Sequence, residues 1–275
     1  MRKSSKASKP SSRIGLRLAA LLGIAGFLGG AVWGVVRLRD LWLAPCRVTD
    51  SAEQIVLEGN EYVPADAILG ACGLTNGVNL ARLAPDFAKI RLRLLARIPN
   101  LRDVSFTHRH PNRLEVRVAE REPVARMNLR GGPRRTGRVV DAEGVVFLRT
   151  PGTQLLPEIW EPSATPKGKQ LDGRSRAALD VVNACRDPEL EKLNLRAVDA
   201  APFDYLVISF GSARCDRAKV DWEGRGQATE KARKALRKTL LQLKQAYDTH
   251  LGERAVMWNA TVPDRVFANT MEPIQ

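Results

Sequence analysis

A chain of 275 residues with 44% hydrophobic and 27% charged side chains is long enough for two modest globular units and apolar enough to bury cores, which excludes wholesale disorder. Of its formal charge of +14, six positive charges (Arg2, Lys3, Lys6, Lys9, Arg13 and Arg17) fall within the first 17 residues, which hold no acidic residue, and setting them aside leaves +8. That remainder is ordinary for a solvated surface and argues against a nucleic-acid partner.

Leu18 to Val36 is a run of nineteen uncharged residues between Arg17 and Arg37, a length that spans a bilayer core. No A-x-A site follows it, and Pro45 stands before Cys46 where a lipoprotein motif wants a small residue, so an uncleaved anchor is favoured over a signal peptide. Basic residues crowd the proximal flank, whereas the distal flank mixes Arg37, Arg39 and Arg47 with Asp40, Asp50 and Glu53. The positive-inside rule then places the N-terminus in the cytoplasm and the bulk of the chain outside it, on a single-pass membrane protein. The organisation expected is a basic tail over 1–17, a transmembrane helix over 18–36 and a linker over 37–53. Gly26, Gly30 and Gly34 recur every fourth residue and could pack another helix, although glycine is common in spans generally.

A first globular unit is expected over 54–121. Gln54 to Leu57 reads as a strand, and Pro64 to Ala71 as a short helix. Pro85 and Asp86 open a second helix with Phe87, Ile90, Leu94 and Ile98 on one face, stopped by Pro99. Val104, Phe106 and His108, then Leu114, Val116 and Val118, alternate around the turn His110-Pro111-Asn112 as a hairpin. This order makes a three-stranded sheet covered by two helices, an α+β unit.

Over 122–275 the pattern is a series of short strands: Val124 to Leu129, Arg138 to Asp141 and Val145 to Leu148, then Leu195 to Val198, Tyr205 to Phe210 and Arg214 to Val220. A loop through Pro162 and Pro166 and a helix over Ser175 to Ala184 separate the two groups. Thr229 to His250 reads as a long helix with Ala232, Leu236, Leu240, Leu243 and Tyr247 on one stripe and a basic opposite face, here taken as solvated. Last strands fall near Ala255 to Asn259 and Arg265 to Asn269. The whole is expected to be a larger mixed-sheet domain with helices.

No catalytic residue is singled out, because G-x-S-x-G, S-x-x-K, H-E-x-x-H and Walker-type loops are all missing from the sequence. His108 and His110 form H-x-H, but His108 continues an apolar register and no third ligand lies nearby, so no metal is expected. Cys46, Cys72, Cys185 and Cys215 show no ligand spacing, and any of three disulfide pairings stays open. No cofactor is expected.

Gln54 to Ala125 resembles the POTRA domain of FtsQ/DivIB proteins. The likeness is carried by Glu58-Gly59-Asn60 with Val63 and Ile68, by Gly77-Val78-Asn79-Leu80, by Pro99 and by Glu120-Arg121-Glu122-Pro123-Val124-Ala125. Val140 to Phe147 and Leu156 to Ile159 are similar to the opening of the family's second domain. Asn259 to Val266 resembles its closing motif, except that Asn259 and Thr261 replace an Asp and an Arg. The resemblance implies a non-enzymatic scaffold of the divisome at the septum, recruiting FtsB and FtsL and regulating septal peptidoglycan synthesis. The alternatives are an anchored cell-wall enzyme and a POTRA-type polypeptide-transport factor. The resemblance further implies that FtsB adds a strand along Arg265, Val266, Phe267, Ala268 and Asn269. Val266 and Ala268 would lie on one face and Phe267 on the other; in the alternative, Phe267 is core and the tail covers the edge.

Overall fold

The computed structural model describes residues 12–109, 111–132, 136–211, 216–222, 229–247, 249 and 255–270, without the side chains of residues 12–22, 24, 25 and 270. Helix α1 (Ser12–Leu43) runs for 32 residues, about 48 Å at the usual rise. It contains the nineteen-residue apolar run and continues past it. No helix among the described residues is long and apolar enough to cross a membrane; residues 18–22, 24 and 25 of the expected span lie outside the described side chains.

Asp50 caps the short α2 (Ser51–Gln54) by accepting the Ala52 N–H at 2.9 Å. After β1 (Ile55–Glu58), α3 (Ala65–Cys72) begins behind Pro64 and stops at Gly73, which takes the left-handed conformation at φ 69°. Asn79 caps α4 (Leu80–Leu83) by accepting the Arg82 N–H at 3.1 Å, and α5 (Phe87–Arg97) buries Ile90 and Leu94, two of the four residues read onto its apolar face. The expected hairpin is β2 (Leu101–Arg109) and β3 (Arg113–Glu120), in a sheet of order β1-β3-β2. Leu114, Val116 and Val118 are buried, as period-two alternation requires.

By internal packing the chain divides into two compact units. The first holds residues 1–56, 74–87 and 106–115. Within it Val48 donates to the Val78 carbonyl at 2.8 Å and accepts from Gly77 at 2.7 Å, and the rings of Phe87 and Phe106 stack at 5.0 Å. The Val48 bonds anchor a segment that the sequence alone places in the linker over 37–53.

The second unit holds residues 57–73, 88–105 and 116–275. Its strands are β4 (Ala125–Leu129), β5 (Arg138–Val140), β6 (Val146–Leu148), β7 (Glu158–Glu161), β8 (Leu195–Asp199), β9 (Tyr205–Phe210), β10 (Arg217–Asp221), β11 (Ala255–Ala260) and β12 (Phe267–Thr270). They form one mixed sheet in the order β12-β11-β10-β9-β8-β7-β4-β5-β6, with parallel pairs β4/β7, β7/β8 and β10/β11. Helix α7 (Glu230–Tyr247) is the crossover that lets β10 and β11 run parallel. It buries Leu236, Leu240 and Leu243 against the sheet together with Ala178, Leu179 and Val182 of α6 (Gly173–Cys185). Of the stripe read from the sequence, Ala232 and Tyr247 are only half-buried.

β7 was not expected, because the sequence reads there as the approach to a loop. Its last residue, Glu161, is fully buried, and two links make that possible. Arg138 Nη2 lies 2.9 Å from Glu161 Oε1 as an ion pair, though without the alignment of a hydrogen bond to that oxygen. Glu161 Oε2 accepts from the Thr165 N–H at 3.1 Å and its hydroxyl at 2.7 Å.

Candidate partner-binding edge

β12 ends the larger sheet and, among the described residues, pairs with one neighbour only, antiparallel to β11, with Phe267 opposite Asn259, Ala268 opposite Trp258 and Asn269 opposite Met257. Of the five residues expected in the terminal strand, Arg265 and Val266 lie before it. Asp264 adopts φ 60° and the Arg265 N–H donates back to the Val262 carbonyl at 3.3 Å, so the chain is still reversing where the sequence pattern already looks extended. Thr270 joins the strand instead.

The expected alternation of faces is present: Val266 and Ala268 pack against the core, whereas Phe267 is 46% exposed rather than being core itself. Beneath the strand, Tyr247 meets Phe210 edge-on at 5.5 Å and Trp258 at 5.8 Å. Trp258 is 2% exposed, and its indole Nε1 has no hydrogen-bond partner among the described residues. Val256 and Val262 add further exposed apolar surface on the segments flanking the same strand pair.

The turn before β12 opens on a neutral contact. Asn259 Oδ1 accepts the Thr261 N–H at 3.1 Å and the Thr261 hydroxyl at 2.8 Å. These are the two positions where an Asp and an Arg were expected from the resemblance, and a local Asx-type bond stands there instead of an ion pair. Lys238 of α7 reaches Asp264 at 2.7 Å.

Two further cations of α7 pair close by. Lys234 meets Glu230 at 2.8 Å, and Arg237 meets Asp187 at 3.1 Å and Glu189 at 2.6 Å. The Glu189 N–H and then Arg237 hold the Asp187 carboxyl below its usual range, and Asp187 raises Arg237 in turn.

Elsewhere the expected features scatter. On α1, a Cβ added at Gly26, Gly30 or Gly34 would meet no atom within 4 Å, so that face packs against nothing described in the chain. His108 Nε2 lies 3.1 Å from the Pro111 carbonyl; His110 and Cys215 lie outside the described residues. No group of three His, Cys, Asp or Glu among the described residues could hold a metal. Cys46, Cys72 and Cys185 are buried, and burial pushes the Cys72 thiol up to about 11 and the Cys185 thiol up to about 12, which keeps both protonated at neutral pH.

Comparison with known proteins adds a second line of evidence. Residues 51–121 match the family described as POTRA domain, FtsQ-type. The chain is 27% identical over 198 residues to the cell division protein FtsQ of Mycobacterium leprae, covering 72% of this chain and 53% of that one. It is 35% identical over 144 residues to the cell division protein FtsQ of Myxococcus fulvus, covering 51% and 46%. Residues 51–121 thus carry an FtsQ-type POTRA domain, and the chain is similar to cell division proteins FtsQ over a longer stretch. It spans about half the length of these curated relatives.

The stretch most typical of FtsQ/DivIB proteins, Glu120 to Ala125, has roles that its sequence pattern does not disclose. The Glu120 carboxylate accepts the N–H groups of Glu61, Tyr62 and Val63 at 2.9, 3.1 and 2.9 Å, tying the end of β3 to the loop after β1. Arg121 donates to the Pro99 carbonyl at 3.1 Å and pairs with the buried Asp141 at 2.5 Å. Val124 donates to the Val140 carbonyl at 2.8 Å, and both Val124 and Ala125 are buried. The partners of this stretch lie 16 to 59 residues away in sequence.

Proposed function

We propose that the chain is a single-pass, non-enzymatic scaffold of the bacterial division machinery, anchored by α1 with its N-terminus in the cytoplasm, and that β12 receives an extended segment of an FtsB-type partner by strand addition. The observation that carries this reading is the β12 edge: a terminal strand paired on one side, with Phe267 turned outward beside it. Unpaired N–H and C=O groups on such an edge favour an added strand, with side chains setting register. The match to the FtsQ-type POTRA domain and the likeness to cell division proteins FtsQ support a role in cell division, and the nineteen uncharged residues within α1 support the anchor. FtsB and FtsL-type proteins are the partners, through which the chain links early and late division proteins and regulates septal peptidoglycan synthesis.

Substitution Ala268→Pro in the full-length chain tests this. Proline removes a backbone donor and cannot extend a paired ladder on both sides. Co-purification with the FtsB-type protein of the same cells should fall at least about tenfold, the equivalent of losing one or two main-chain bonds, with native circular dichroism. Undiminished co-purification by the folded variant would rule out strand addition here.

A further inference from the structure

We infer that the last turns of α1 form a collar that seats in an anionic lipid headgroup layer and is locked by a polar clasp onto residues 78–82. This rests on the reading that α1 spans the bilayer. The uncharged run ends at Val36, yet the helix continues through Arg37-Leu38-Arg39-Asp40-Leu41-Trp42-Leu43. Those seven residues add about 10 Å of helix, comparable with the roughly 5–8 Å that the headgroup region adds to each side of the hydrocarbon core.

The two sides of this extension differ. Leu38, Leu41 and Trp42 share a face at spacings of three and four, and they are 62%, 69% and 79% exposed. Asp40 projects from the opposite side and pairs with Arg82. The Leu43 carbonyl accepts Asn79 Nδ2 at 2.6 Å, Arg47 bridges to Asn79, and Val48 exchanges hydrogen bonds with Val78 and Gly77. The helix end is therefore fixed in rotation: its polar side faces residues 78–82 and its apolar side faces away from them.

The chemistry of the uncovered side identifies its occupant. Arg37 and Arg39 flank the apolar face, the Arg37 guanidinium sits 5.5 Å over the Trp33 ring, and exposed Arg47 follows three residues after the helix. The one carboxylate in the extension, Asp40, is already paired with Arg82. Tryptophan and arginine together suit the interface of a membrane, and three arginines beside it suit phosphate-bearing anionic headgroups rather than an apolar helix or a second basic copy of the same face.

The full-length chain should be placed in nanodiscs of phosphatidylcholine alone and of phosphatidylcholine with phosphatidylglycerol at 7:3, and amide hydrogen exchange followed over residues 38–49. The anionic lipid should slow exchange there about fivefold or more, the scale of one basic residue at a charged surface. The combined variant Arg37→Gln, Arg39→Gln and Arg47→Gln should abolish that difference. Equal exchange in both lipids would overturn the collar, as would slowing that follows the number of chains per disc instead of lipid charge, which would assign the face to a second copy. Carbonate extraction of the same chain from membranes tests the anchor separately: a chain that extracts freely refutes the spanning helix, whereas a retained chain without the lipid effect refutes only the collar.

Discussion

The two edges of the nine-stranded sheet are treated differently. At one end, β6 is backed by the segment that follows Thr165: Val146 donates to the Lys169 carbonyl at 3.0 Å, Gly168 donates to the Val146 carbonyl at 2.7 Å, and Val145 bridges to Gln170. At the other end, β12 has no outer neighbour among the described residues and carries a half-exposed phenylalanine. A sheet edge is a template for pairing, and of the two edges only β6 is covered by a strap among the described residues, so the proposed strand addition would fall at β12. The difference teaches where to look for partners, and it can be broken from either side.

The largest effect is expected at the closed edge. Arg138 ties the strap by donating to the Thr165 carbonyl at 2.8 Å and by pairing with the fully buried Glu161. Arg138→Ala leaves that carboxylate without its cation, which costs about 3–5 kcal/mol. Chemical denaturation should show that loss, and a stability within about 1 kcal/mol of the parent would mean that the pair does not hold the strap.

At the open edge a smaller effect of another kind is expected. Phe267→Ala removes exposed surface, so stability should move by less than about 1 kcal/mol, while FtsB-type binding weakens about tenfold, as for an interface anchor. Calorimetry and a binding titration on the same sample separate the two, and unaltered affinity would remove Phe267 from the contact.

Lys238→Ala tests whether the α7 contact to Asp264 presets the approach to β12. Both side chains are mostly exposed, so the change in stability should stay below about 1 kcal/mol. A larger loss would make this turn a structural hub.

The smallest effect concerns pH. The Asp187 carboxyl is held below its usual range by the Glu189 N–H and by Arg237. A group with a depressed folded-state pKa adds stability above its unfolded value, and that contribution disappears as pH falls through the lowered value. Thermal scans should therefore show Asp187→Asn and the parent converging below about pH 4 and diverging slightly above it. A gap that widens in acid would reverse the assignment.

Much of this was legible in the sequence where order is local. The α7 stripe at Leu236, Leu240 and Leu243 and the hairpin alternation through Leu114, Val116 and Val118 follow from periodicity, and both sets are buried. β7 was not legible, because four residues with a glutamate at each end read as surface until Arg138, 23 positions away, neutralises one of them. The ordered segment after α1 was missed for the same reason, since its backbone partners are Val78 and Gly77. In the candidate edge, the alternation of Val266, Phe267 and Ala268 was readable, but the turn that displaces Arg265 and Val266 depends on Asp264 taking a left-handed conformation. The edge position expected for this last strand agrees with the sheet order, in which β12 has no outer neighbour among the described residues.

The most direct measurement is amide hydrogen exchange at Phe267 to Asn269 in the full-length chain, with and without saturating FtsB-type partner. Strand addition predicts that the outward amides of this segment slow by at least about tenfold on binding, because each becomes part of a ladder. Binding that leaves their exchange unchanged, with protection appearing elsewhere, would contradict the assignment of β12 as the docking edge.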